Sequence, residues 1–123
     1  MSTNIDSIEQ WATAGTGQLV SGTEPVSGTV VEIRTTADVL ALFDNAPPDM
    51  IVLLHTSGGT ILSPLFSEIR GIISTVGSKG SHVAILAREF GVPCVMGTEL
   101  VVEDLNGKRV QIATDGSVLV EQG

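Results

Sequence analysis

A chain of 123 residues with 42% hydrophobic and 16% charged side chains, at a mean hydropathy of +0.35, makes one globular core of ordinary domain size and excludes both two large domains and a disordered tail. Fourteen acidic against six basic residues give a net charge of -8, the wrong sign for a protein that binds by neutralising phosphates, so nucleic acid is excluded as a partner. Three Phe, one Trp and no Tyr leave no stacking platform for bases, and the core must be Val, Ile, Leu and Ala.

Residues 1–17 carry a weak helical pattern, Ile5, Ile8, Trp11 and Ala12, that runs into Ala14-Gly15-Thr16-Gly17. They read as an extension of short helix and linker ahead of a domain over residues 18–123. Residues 18–34 mix alternation with Gly22, Pro25 and Gly28, the pattern of strands joined by turns. Thr36 or Asp38 then caps a helix through Asp44, which Asn45-Ala46-Pro47-Pro48 ends. Met50-Ile51-Val52-Leu53-Leu54 is an unbroken apolar run, as in a strand covered on both faces. Beyond the loop of residues 55–60, Ser63-Pro64 opens a helix with Leu65, Phe66 and Ile69 on its buried face, ended by Gly71. Residues 72–76 form a strand and 77–80 a turn. A helix follows over residues 81–90, its buried stripe Val83, Leu86, Ala87 and Phe90, stopped by Gly91 and Pro93. The remainder is β again, over residues 92–96, 100–102, 109–113 and 118–120, separated by Gly97 and by hairpin turns at Asn106-Gly107 and Asp115-Gly116. The whole is one α/β domain with a mixed central sheet.

Cys94 is the sole cysteine, which excludes an internal disulfide and a cysteine-rich zinc site, and its place between Pro93 and Val95 reads as core. Two histidines without paired carboxylates make no metal site. The start, Met1-Ser2-Thr3-Asn4, has neither a basic cluster nor an apolar h-region. No apolar run approaches the roughly 18 residues of a membrane span, so a cytoplasmic protein without a membrane partner is expected.

His82 follows the glycine-rich turn and falls in the opening turn of an apolar helix, where the first amides lack intrahelical partners. That end of a helix favours anions. A phosphoryl group on the imidazole would lie near the amides of Gly80 and Ser81, with Lys79 the nearest cation in the chain. The same dipole disfavours imidazolium by about 0.3–1 kcal/mol, which keeps an unprotonated, nucleophilic nitrogen near neutral pH. Taken alone, Gly-Ser-His is equally an early-helix histidine behind a serine cap, and the spacing leaves both readings open. His55, at a strand end, reads as a satisfied structural residue, and Lys79 also as a solvated turn residue.

A longer stretch resembles a known family. Gly77-Ser78-Lys79-Gly80-Ser81-His82-Val83-Ala84-Ile85-Leu86-Ala87-Arg88-Glu89-Phe90-Gly91-Val92-Pro93-Cys94-Val95-Met96-Gly97-Thr98 is similar to the mobile phosphohistidine domain of the PEP-utilising enzymes, the family of pyruvate phosphate dikinase, PEP synthase, rifampicin phosphotransferase and phenylphosphate synthase. Thr56, Ser63-Pro64-Leu65-Phe66 and Gly71-Ile72-Ile73-Ser74 look like its upstream segments, and Asn106-Gly107 onward like its last hairpin. The likeness spans residues 50–120, and more loosely 22–33.

The resemblance implies a swivelling β/β/α fold in which His82 takes phosphate from ATP at one partner and delivers it to an acceptor, a small organic molecule or pyruvate. Ser81, Gly80, Lys79 and Thr56 then surround the phosphoryl group. The chain lacks a Gly-x-x-x-x-Gly-Lys-Ser/Thr loop and is too short for an ATP-grasp domain or a barrel. It would therefore bind no cofactor itself, with ATP and Mg on an ATP-grasp-type nucleotide-binding subunit and the acceptor on another subunit, all in trans. Such a chain is the phosphocarrier component of a multi-subunit phosphotransferase. The rival expectation is a non-catalytic swivelling-fold subunit that binds or orders a partner enzyme. A Ser81–His82 hydrolase is weaker, because adjacent helical residues diverge and no Gly-x-Ser-x-Gly elbow exists.

Two positions depart from the family pattern. Gly80 stands where relatives often have Thr, and Ser78 replaces the second glycine of a Gly-Gly pair. A positive φ at Ser78 would cost about 1 kcal/mol. Arg88 lies about 240° round the helix from His82, outside reach of the phosphate.

Overall fold

The computed structural model describes residues 11–55, 62 and 65–122. Among the described residues, seven strands and two helices follow in the order β1 (Trp11–Ser21), β2 (Val26–Ile33), α1 (Thr36–Asn45), β3 (Met50–Leu54), β4 (Gly71–Ser74), α2 (His82–Phe90), β5 (Cys94–Leu100), β6 (Arg109–Ile112) and β7 (Ser117–Glu121). The mixed sheet closes on itself as a barrel in the order β1-β5-β4-β3-β2-β6-β7. Strands β2, β3, β4 and β5 are parallel neighbours, while β1, β6 and β7 pair antiparallel. The parallel strands thus end together at one edge of the barrel, and α2 begins at that edge because it connects β4 to β5.

The unbroken apolar text of β3 has its physical reason here. Met50, Val52 and Leu54 join the cluster that includes Val39, Phe66 and Val83, whereas Ile51 and Leu53 join the barrel interior with Ile73, Val95 and Val110. Both faces are buried, so all five residues of β3 are apolar and buried. Among the described residues, no helix is long and apolar enough to cross a membrane.

Several expectations change. Residues 11–17 are not helix or linker but the first part of β1, while residues 1–10 of that expected extension lie outside the described residues. Gly15 and Gly17 belong in a strand because β1 lies very close to β5: a Cβ would stand 2.6 Å from the Glu99 oxygen at Gly15 and 2.7 Å from the Met96 oxygen at Gly17. Helix α1 is capped by neither Thr36 nor Asp38 but by Thr35, whose hydroxyl accepts from the Asp38 amide at 3.3 Å. Asp38 closes the reciprocal half of a capping box, its carboxylate accepting from the Thr35 amide at 3.0 Å. Ser63 and Pro64 lie outside the described residues; Leu65, Phe66 and Ile69 are buried as expected, yet residues 65–68 make a single turn, and Gly71 opens β4 rather than ending a helix. Gly97 does not interrupt β5. It sits at φ +59 where Gly97 and Thr98 together oppose Gly17, a β-bulge that lets the strand run on to Leu100.

Helix α2 buries Val83, Ala84 and Ala87, with Leu86 packed beside them. Phe90 departs from the expected stripe: it is 54% exposed and stacks on Phe66 at 5.2 Å between ring centroids. Gly91 ends the helix in the left-handed region at φ 68, its amide directed to Ala87 and Arg88 carbonyls, and the Val92 amide bonds the Ala87 oxygen at 2.8 Å. No atom lies within 4 Å of a Cβ built on Gly91. Gly91→Ala is therefore expected to cost only its backbone conformation, about 1 kcal/mol in urea unfolding.

Three carboxyls are held below the usual aspartate range: Asp38 by the amides of Arg34 and Thr35, Asp49 by the Arg109 guanidinium at 2.6 Å, and Asp115 by the Ser117 amide. A folded-state value below the unfolded one, about 3.9, gives stability that is fully present above that pH and is lost as pH falls through the folded value. The urea midpoint is expected to hold steady above pH ~5 and to fall progressively below pH ~4. Asp49→Asn should flatten that acid limb.

Candidate functional site

The edge where the parallel strands end is built from β4 outward. Ser74 is fully buried at the end of β4, and its hydroxyl donates to the Val76 carbonyl at 2.9 Å, turning the chain out of the sheet. The need for positive φ falls on Gly77, at +92. Asp104 is the one described non-glycine residue with positive φ, so Ser78 carries none of the strain expected for it. The Ser78 amide donates to Ser81 Oγ at 2.9 Å and the Ser81 amide to the Ser78 carbonyl at 3.0 Å, which closes a compact turn.

That turn decides what the start of α2 can do. Ser81 occupies the N-cap position with extended backbone, but its hydroxyl accepts from Ser78 and makes no side-chain cap on the helix. The first intrahelical bond runs from the Ile85 amide to the Ser81 carbonyl at 3.0 Å. Ser81 Oγ therefore caps no first-turn amide, and those amides point out of the helix end. The first turn contains no acidic residue. His82 is the first residue of α2 and is exposed, at the positive end of the helix dipole. Gly80 and Lys79 are exposed in the same turn. Residues 71–98 carry two basic residues against one acidic, in a chain of net charge -8. An anionic group carried on the His82 ring thus meets a favourable dipole, with Lys79 in the same turn.

Gly80, Ser81, Lys79 and His82 are therefore neighbours in one turn, whereas Thr56 lies outside the described residues, as do residues 57–59. Space beside Gly80 is open, with no atom within 4 Å of a Cβ, and its φ is not in the left-handed region. Gly80→Thr, the residue expected from the family pattern, should change stability by no more than about 0.5 kcal/mol in thermal unfolding.

His55 takes the structural part expected of it. Its Nε2 lies 2.7 Å from Glu32 Oε2 and its Nδ1 3.1 Å from Thr75 Oγ1, so one ring ties together the ends of β2, β3 and β4. Arg34 bonds the same Glu32 oxygen at 2.7 Å. No local signal in the sequence could have found this network, because its members come from three separate strand ends. Cys94 is fully buried, and burial pushes its thiol up to about 12, which leaves it unreactive as a nucleophile. Among the described residues, no group of three metal-ligating side chains occurs.

Comparison with known proteins gives consistent matches. The family described as PEP-utilising enzyme, mobile domain, matches residues 45–118. Rifampicin phosphotransferase of Bacillus cereus is 36% identical over 101 residues, covering 78% of this chain and 11% of that protein. Phosphoenolpyruvate synthase of Pyrococcus furiosus is 29% identical over 83 residues, covering 64% of this chain and 10% of that protein. This chain thus spans only about a tenth of the length of these relatives. Among solved structures, aconitase X of Thermococcus kodakaraensis superposes with a TM-score of 0.61 at 14% identity, over 91% of this chain and all of that one. At that identity the likeness is one of fold.

Proposed function

The chain belongs to the PEP-utilising enzyme mobile-domain family, the phosphohistidine-carrying module of phosphotransferases, and from that premise we propose that His82 carries the phosphoryl group between two partners. The observation that carries this reading is the exposed His82 at the first position of α2, with the Ser81 hydroxyl turned away from the helix end. In the first step a ring nitrogen of His82 attacks the phosphorus of ATP held with Mg on an ATP-grasp-type partner. A nitrogen–phosphorus bond forms as the bond from that phosphorus to its bridging oxygen breaks, and the nucleotide leaves with the electron pair and stays with the partner. In the second step an acceptor oxygen attacks that phosphorus and the imidazole leaves with its electron pair. The acceptor is a small organic molecule or pyruvate on an acceptor-binding partner.

Within this cycle the chain's own residues bind and orient. Outward amides at the start of α2 donate to the equatorial phosphoryl oxygens, with Lys79 the adjacent cation and Gly80 leaving room for the group. Thr56 is proposed as a further hydroxyl contact. This chain spans only about a tenth of the length of these relatives, so the nucleotide and acceptor sites of the proposed cycle are placed outside the residues described.

The test is intact-mass analysis after incubation with ATP and the cognate nucleotide-binding subunit. One phosphoryl group should appear with both present and none with ATP alone. If the correct partner never labels the chain, it is a non-catalytic subunit that binds or orders that partner.

A further inference from the structure

The barrel has a second feature at the edge where its parallel strands end. The segment over residues 101–108 is bonded on one side to β1, by the Val101 amide to the Ala14 carbonyl at 2.8 Å, and on the other to β2, by the Gly107 amide to the Val30 carbonyl at 2.8 Å. β1 and β2 are not neighbours in the sheet, so this segment crosses the barrel mouth. Leu105, 2% exposed, plugs it and packs with the interior cluster. Beside the plug lies a cavity of about 370 Å³. Its apolar surface comes from the partly exposed Leu100 and Val102 above the buried Leu53 and Leu105, and its rim carries Glu32, Glu103 and Asp104.

Charge decides what such a cavity holds. The positive groups on the same wall, Arg34 and His55, are both directed to Glu32, each at 2.7 Å. Glu103 and Asp104 form no ion pair among the described residues. The rim therefore has a surplus of negative charge over an apolar floor. We propose that this barrel mouth binds a small organic cation, an ammonium or guanidinium group on an apolar stem. The stem leaves water against Leu100 and Val102 while the cation stays at the lip beside Glu103 and Asp104. A carboxylate on the same stem would face two unpaired carboxylates, and an alcohol gains only the floor. None of this involves His82, so the proposal stands apart from the carrier reading.

The test titrates the ¹⁵N-labelled chain with n-hexylammonium chloride, n-hexanol and sodium hexanoate at constant ionic strength. Hexylammonium should give saturable amide shifts at His55, Asp104 and Leu105, hexanol should bind about five-fold more weakly, and hexanoate should not saturate. The double variant Glu103→Gln, Asp104→Asn should bring hexylammonium down to the affinity of hexanol. Asn accepts the φ of 56 that Asp104 adopts, so the loop keeps its shape. Equal affinity for amine and alcohol, an unaffected double variant, or the absence of saturable shifts would each overturn the proposal.

Discussion

Gly28→Ala is expected to destabilise the domain by roughly 3 kcal/mol. A Cβ at this position would overlap the carbonyl oxygen of Asp49 and stand 2.9 Å from Ile51 Cγ1. The Asp49 carbonyl cannot retreat cheaply, since it accepts the Thr29 amide at 3.0 Å while its carboxylate is held by Arg109 at 2.6 Å. Strand β2 is also confined between β3 and β6, with Gly28 paired to Val110. A thermal midpoint lower by about 10 °C follows for a domain of this size. Gly80→Ala supplies the control, because the space there is open, and should leave the midpoint within about 2 °C. If the two variants unfold alike, the close approach of β2 to the start of β3 is not what Gly28 serves.

The second large effect is on chemistry. His82→Ala should abolish acid-labile phosphorylation, whether the donor is phosphoramidate acting on the isolated chain or ATP with its partner subunit. A phosphorus–nitrogen bond breaks in acid because the protonated imidazole becomes a good leaving group, and it survives alkali; a serine phosphoester behaves otherwise. The substitution removes an exposed side chain outside the buried residues Val83, Ala84 and Ala87, and alanine favours the helix, so unfolding should be within about 0.5 kcal/mol of wild type. His55→Ala should do the reverse. It keeps the label but loosens the strand ends that His55 joins through Glu32 and Thr75, at about 1 kcal/mol.

These contrasts follow how much of the molecule is legible in one dimension. Helix α2 could be read because its signals are local: a glycine-rich turn before it, apolar spacing within it and Gly91 after it. The two-sided burial of β3 was equally readable, since a run of five apolar residues between polar ones has few other meanings. β1 was not. Its glycines resemble a linker, and the close approach of β5 that requires them lies some 80 residues away in the chain. Gly97 misled for the same reason, being a bulge opposite Gly17 rather than a strand end. At the site, His82 and its turn could be found from contiguous residues. The turn's hydrogen bonds could not, because Ser81 has two competing targets, the amides of α2 and the amide of Ser78, and only the folded turn selects the second. Phe90 is the last residue of α2 and stacks on the buried Phe66 while remaining 54% exposed itself, a contact between distant segments that helical spacing does not reveal.

The most direct measurement treats the chain, labelled with ¹⁵N at its histidine rings, with phosphoramidate or with ATP and the cognate subunit, and follows it by phosphorus and nitrogen NMR. One phosphorus signal should appear, coupled to a ring nitrogen of His82, and it should vanish in mild acid and persist in alkali. A coupling to His55, a signal that survives acid, or no signal with the correct partner would contradict the assignment of His82 as the phosphoryl carrier.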